Sequence, residues 1–162
     1  MLRGICSLCL VTCLVLSGCG GAERPRLVEV KGKVTLNGQP LEGAIIALQL
    51  DPPDPEYKRP AQAKSNAAGE FIPATYGDAK GIPTGKYKVA VVKREYPEGY
   101  NTEMPELNKK PVNSITPLVY GDVNTSGLTV EVTSSGIQPE VIALEGQPEV
   151  INSATQRPAN DP

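Results

Sequence analysis

Val28-Glu29-Val30-Lys31-Gly32-Lys33-Val34-Thr35-Leu36-Asn37-Gly38 is the stretch whose reading decides the fold. Val28, Val30, Val34 and Leu36 share one face with Gly32 in phase, while Glu29, Lys31, Lys33 and Thr35 take the other. A period of two belongs to a half-buried strand, because successive strand side chains point to opposite faces. Gly32 inside it marks a bulge or a close approach by another backbone. Asn37-Gly38 then supplies the positive φ angles that a two-residue hairpin turn requires.

The same punctuation continues downstream. Gln39-Pro40-Leu41-Glu42-Gly43 leads into a more continuously apolar strand over Ala44 to Leu50, ended by Pro52, Pro53 and Pro55. A weaker strand over Ala61 to Asn66 turns through Ala67-Ala68-Gly69 into Glu70-Phe71-Ile72. Gly81 to Gly85 reverses the chain into Tyr87 to Lys93, where Tyr87, Val89 and Val91 alternate with Lys88, Ala90 and Val92. Arg94 to Pro111 is polar, with Pro97, Gly99, Pro105 and Pro111, and reads as a long excursion; an unstructured loop of that length is usually functional or disordered. After Ile115 to Tyr120, Leu128, Val130 and Val132 form a clean strand, and Val141 to Leu144 form the last.

With 16 Gly and 16 Pro among 162 residues, a helical protein is excluded in favour of short strands and many turns. The expectation is all-β: a single antiparallel β-sandwich of about seven strands over 27–146. Val30, Val34, Ile46, Phe71, Val89, Val91, Leu128 and Val130 are its expected core. Residues 147–162 are almost free of apolar side chains after Ile151 and read as a disordered tail. Gln138-Pro139-Glu140-Val141-Ile142 recurs as Gln147-Pro148-Glu149-Val150-Ile151, two copies being too few for a repeat architecture.

The N-terminus is an address. Arg3 precedes an apolar run from Ile5 to Leu16, too short to span a bilayer, which takes roughly 20 residues. Leu16-Ser17-Gly18-Cys19 closes it with small residues and a thiol. The tetrad resembles the lipobox of bacterial lipoproteins, which implies cleavage after residue 18 and a diacylglycerol thioether on Cys19. A second, amine-linked acyl chain such as palmitate is common in that class, and two chains hold a protein far more stably than one. The alternative is an ordinary secretory signal that happens to end at a Cys. Gly20, rather than the Asp that typically retains lipoproteins at an inner membrane, favours the outer membrane. Residues 19–26 then form a lipidated tether reaching some 20–25 Å.

Cys6, Cys9 and Cys13 lie in the segment 1–18 and Cys19 carries the lipid, so the mature chain is expected to hold no disulfide and no free thiol. Losing Arg3 leaves 15 cationic against 18 anionic residues, −3 in place of −2, with no basic block. Nucleic-acid binding is disfavoured.

The run Val30 to Ala44 resembles the opening of bacterial carboxypeptidase-regulatory-like domains, and three further stretches fit: Ala67-Ala68-Gly69-Glu70-Phe71, Ile82-Pro83-Thr84-Gly85-Lys86-Tyr87-Lys88-Val89, and Thr125-Ser126-Gly127-Leu128-Thr129-Val130. The resemblance covers about residues 28 to 133 and implies the transthyretin-like (prealbumin-like) sandwich. It implies no activity, since fold does not fix function.

Catalytic residue types are scarce. The chain has no His, which removes Ser-His-Asp and Cys-His machinery and the commonest zinc ligand. Enzymes of the same broad fold depend on His, with Tyr or a terminal Tyr-Arg-Gly-Ser, and this chain has neither set. Glu98, Glu103 and Glu106 could be paired carboxylates but lie on the polar excursion without apolar shielding, as solvated charges would. Asp51-Pro52-Pro53-Asp54-Pro55-Glu56 places three carboxylates within six residues, yet lacks the Gly-centred loop of a calcium site and reads as a stiff acidic connector. No metal, cofactor or catalytic residue is expected.

Tyrosines remain. Tyr57, Tyr76, Tyr96, Tyr100 and Tyr120 lie in or beside loops, while Tyr87 and Phe71 read as core plugs. Tyr96 and Tyr100 are the candidate partner contacts. The expected function is a non-enzymatic structural or interaction module, membrane-anchored in the cell envelope, with an envelope protein or glycan as partner. The alternative is a lipoprotein that binds glycan or peptide through its loop tyrosines.

Overall fold

The computed structural model describes residues 25–54, 59–77, 79–108 and 110–151. The expected signal segment 1–18, Cys19, most of the expected tether, Glu56, Tyr57 and residues 152–162 of the expected tail lie outside them. Within them the protein is all-β, with two short 3-10 turns at Pro105–Leu107 and Leu118–Gly121. The strands are β1 (Gly32–Leu36), β2 (Gln39–Pro40), β3 (Ile45–Leu50), β4 (Ala61–Lys64), β5 (Glu70–Phe71) and β6 (Gly85–Val92). They continue with β7 (Arg94–Glu95), β8 (Val112–Ser114), β9 (Leu128–Thr133), β10 (Gly136–Gln138), β11 (Val141–Leu144) and β12 (Glu149–Ile151).

The largest sheet has the order β10-β9-β6-β3-β4, antiparallel throughout. Its inner face carries Ile46, Leu48, Tyr87, Val89, Val91, Val130, Val132 and Ile137, all buried. A second sheet runs β11-β1-β2, with β5 also paired to β1, and contributes Val34, Phe71, Ile142 and Leu144 to the same hydrophobic cluster. A small third sheet, β12-β8-β7, is attached beyond the end of β6.

The opening stretch folds as its pattern dictates. Val30 and Val34 are buried, and Asn37 and Gly38 take φ of 50° and 80° in the turn joining Leu36 to Gln39. The regular ladder starts only at Gly32; Val28 makes an isolated bridge to Ile82. What approaches Gly32 is a side chain, not a backbone: a methyl there would stand 2.5 Å from Cζ of Phe71. Gly69, at φ 75°, lets its turn pass over the Val34 carbonyl, where any Cβ would clash. Val34 N–H donates to the Gly69 carbonyl at 2.8 Å, tying that turn to β1.

Several expectations are corrected. The described residues hold twelve strands rather than about seven, because three of them are only two residues long and β10 and β12 are additional. Pairing is not wholly antiparallel. After β10 the chain crosses at Pro139-Glu140, and β11 enters beside β1 in the same direction, with Lys33 N–H on the Glu140 carbonyl at 2.8 Å. The domain does not end at Gly146: residues expected in a disordered tail form β12, antiparallel to β8 through Ile151↔Val112. Backbone pairing supplies there what apolar side chains do not. Leu128, expected in the core, is only partly buried at the start of β9, where Val89 is its last partner. Ala44 to Leu50 is less continuously buried than its composition suggests, since Ile45 points outward at 46 % exposure.

Candidate functional site

The excursion after β6 is a long-looped hairpin. Its base is the β7–β8 pair, Arg94↔Ser114 and Glu95↔Asn113, tied to the core by Ile115 N–H on the Lys93 carbonyl at 2.8 Å. Lys93 N–H also donates to Oγ1 of Thr116, which is buried. Above that base the loop is braced by asparagine side chains. Asn108 Oδ1 accepts from Asn101 N–H at 2.8 Å, and Asn108 Nδ2 donates to the carbonyls of Asn101 and Pro105 at 2.7 and 3.1 Å. Asn101 Oδ1 accepts from the N–H groups of Glu103 and Met104. Such bonds are the reason Asn is favoured in turns: its amide mimics a backbone group.

This bracing leaves apolar side chains in water. Tyr96, Met104 and Leu107 are 48, 49 and 65 % exposed. Tyr96 and Tyr100 come together, their ring centroids 4.9 Å apart and tilted by 46°, within the range of favourable aromatic pairs. Beside Tyr100 lies a small open depression lined by Glu98, Gly99, Leu107, Asn108 and Lys110, the Lys110 Nζ donating to the Glu98 carbonyl at 3.2 Å.

The other sequence candidates fall elsewhere. Tyr87 is a core plug whose hydroxyl donates to the Pro83 carbonyl at 2.7 Å; burial pushes its pKa up to about 12. Tyr120 packs against the core, its hydroxyl shared with the backbone of Glu145. Tyr76 is half-buried beside the Tyr76↔Ala79 bridge. Glu98 and Glu103 are exposed, as solvated charges should be. Asp51 lies 3.6 Å from Lys88 Nζ, an ion pair at the surface rather than an open ligand set. Among the described residues no three His, Cys, Asp or Glu side chains are gathered to hold a metal ion, and no buried side-chain polar atom lacks a partner.

Sequence reasoning named Tyr96 and Tyr100 but missed Asn101 and Asn108, the residues that shape the loop. Their spacing of seven carries no pattern; only their residue type, turn-forming Asn among prolines, points to the role. Among the described residues no helix is long and apolar enough to cross a membrane. No protein-family model, curated protein or solved structure matches this chain.

Proposed function

We propose that the protein is a lipid-anchored β-sandwich of the transthyretin-like kind, resembling carboxypeptidase-regulatory-like domains, and that it works without catalysis as an interaction module of the bacterial cell envelope. Cys19, cleaved and acylated, is the anchor, and Gly20 directs it to the outer membrane. The observation that carries the interaction reading is the self-braced excursion, which keeps Tyr96, Met104 and Leu107 exposed although a core lies at its base. A loop held open by side-chain amides resists collapse onto its own domain, and exposed aromatic and Met side chains are typical contact residues.

The test joins anchor and loop. Metabolic labelling with an alkynyl fatty acid should tag the wild type and not Cys19→Ala, and cross-linking from the envelope should recover a partner that Tyr96→Ala, Tyr100→Ala loses. An untagged wild type refutes the anchor, and recovery unaffected by the double substitution refutes the loop. A second reading, glycan or peptide capture, is favoured by the depression beside Tyr100, where Glu98, Asn108 and Lys110 offer polar groups around an aromatic edge. Saturable signals on a glycan array, lost in the same double variant, select it.

A further inference from the structure

Residues 25–28, where the described chain begins, and the excursion occupy opposite ends of the domain. The first described segment is pinned by Val28, whose N–H and carbonyl bond the carbonyl and N–H of Ile82 at 2.9 and 3.0 Å, just before β6 begins at Gly85. β6 then runs eight residues, about 23 Å at strand rise, before the chain enters β7 and the excursion. The same far end collects the third sheet, the 3-10 turn Leu118–Gly121 against Val92, and the start of β3, where Ile45 pairs with Val92.

Two properties concentrate there. Of the seven large apolar side chains that are exposed among the described residues, six belong to this pole: Ile45, Tyr96, Met104, Leu107, Val119 and Val150. The seventh, Val141, sits opposite Lys33, at the start of the β1–β11 ladder. Charge is polarised as well. Residues 93–122 and 145–151 hold four cations against seven carboxylates, a net −3, which is the whole net charge of the chain after residue 18. The remainder is neutral.

We infer that the pole opposite the tether is the docking surface, held outward from the membrane, and that it takes a protein segment both basic and apolar. This deepens the anchored interaction reading and rests on it. Anionic lipid repels the acidic pole, and a short tether places the neutral end next to the bilayer. Acidic charge around apolar anchors selects a complementary cationic partner and speeds its encounter.

The anchored mature chain suits a direct test, because cleavage after residue 18 removes Cys6, Cys9 and Cys13 and acylation blocks Cys19, so an introduced Cys is labelled alone. Ser135→Cys lies in the turn between β9 and β10 at the tether end, Glu103→Cys on the excursion. In vesicles of phosphatidylcholine and phosphatidylglycerol carrying a headgroup quencher, a dye at position 135 should be quenched several times more than one at 103. Equal quenching, or more at 103, in protein that floats with the vesicles overturns the polarity alone; protein that does not float overturns the anchor reading with it. On nanodiscs of phosphatidylcholine, a helical Lys/Leu peptide should bind about tenfold more tightly than its Glu/Leu counterpart. Tyr96→Ser with Leu107→Ser should weaken that binding about fivefold, and Val141→Ser should not. Equal binding of both peptides, or equal loss with Val141→Ser, overturns the docking assignment.

Discussion

Gly32 and Phe71 form a lock whose energetics can be worked in advance. Phe71, the chain's single Phe, is 2 % exposed and sits on the bare Cα of Gly32 in the β1–β5 ladder. Phe71→Ala removes a buried ring and leaves a cavity, a loss of about 3–5 kcal/mol against a total stability of about 5–15. Gly32→Ala acts in the opposite way: its methyl would stand 2.5 Å from Cζ and 2.9 Å from Cε1 of the ring. Overpacking of that kind costs about 1–3 kcal/mol. In the Phe71→Ala background the obstacle is gone, and the same Gly32→Ala change should be neutral or stabilising by about 0.5–1 kcal/mol, since Ala orders more cheaply than Gly in a strand. The two substitutions should therefore couple by about 1–4 kcal/mol. Urea unfolding of the four proteins, followed by far-UV circular dichroism, reads this directly. Additive losses would refute the packing argument, and so would a Phe71→Ala loss below about 1 kcal/mol.

Ser65 is buried, its hydroxyl accepting from Ala44 N–H at 2.9 Å and donating to the Leu41 carbonyl at 2.6 Å; Ser65→Ala should cost about 1–3 kcal/mol in urea by orphaning both groups. Tyr87, with its pKa raised from 10.0 to about 12 by burial, ionises first in the unfolded chain, so stability should be full below pH 10 and fall as pH rises from 10 towards 12. Tyr87→Phe should flatten that part of the pH profile, which urea midpoints across the range would show. Replacing Pro97 to Lys110 by Asn-Gly should keep the circular dichroism of the native domain, because the β7–β8 base remains, while abolishing partner recovery; an unfolded product would make the excursion part of the fold. Intact-mass analysis of the mature protein should place its first residue at Cys19 with acyl chains attached, and an unmodified Cys19 would end the anchor reading.

Much of the architecture was legible because strand alternation is a local property. Val30, Val34, Phe71, Val89, Val91 and Val130 are buried where their period of two places them, and Asn37-Gly38 turns as its dipeptide requires. The pairing partners were not legible. Val141 to Leu144 alternates identically whether it lies parallel or antiparallel to β1, and only the crossing at Pro139-Glu140 decides the direction. β12 was hidden for a related reason: Glu149 to Ile151 is too short, with polar sequence following it, to announce a strand, and its stability comes from backbone bonds to β8 and from Glu149 Oε1 accepting the Leu118 N–H at 2.9 Å.

The candidate site divides along the same line. The sequence by itself determined the apolar run from Ile5 to Leu16, the Cys19 that follows it, the absence of His and the aromatic content of the excursion, because these are matters of residue type and order. Tertiary structure alone decided that Tyr96 meets Tyr100, that Asn101 and Asn108 brace the loop around them, and that Val28 and the loop stand at opposite ends of β6. Distances between residues far apart in the chain are set by how the sheets close on their common core, and no local pattern encodes that closure.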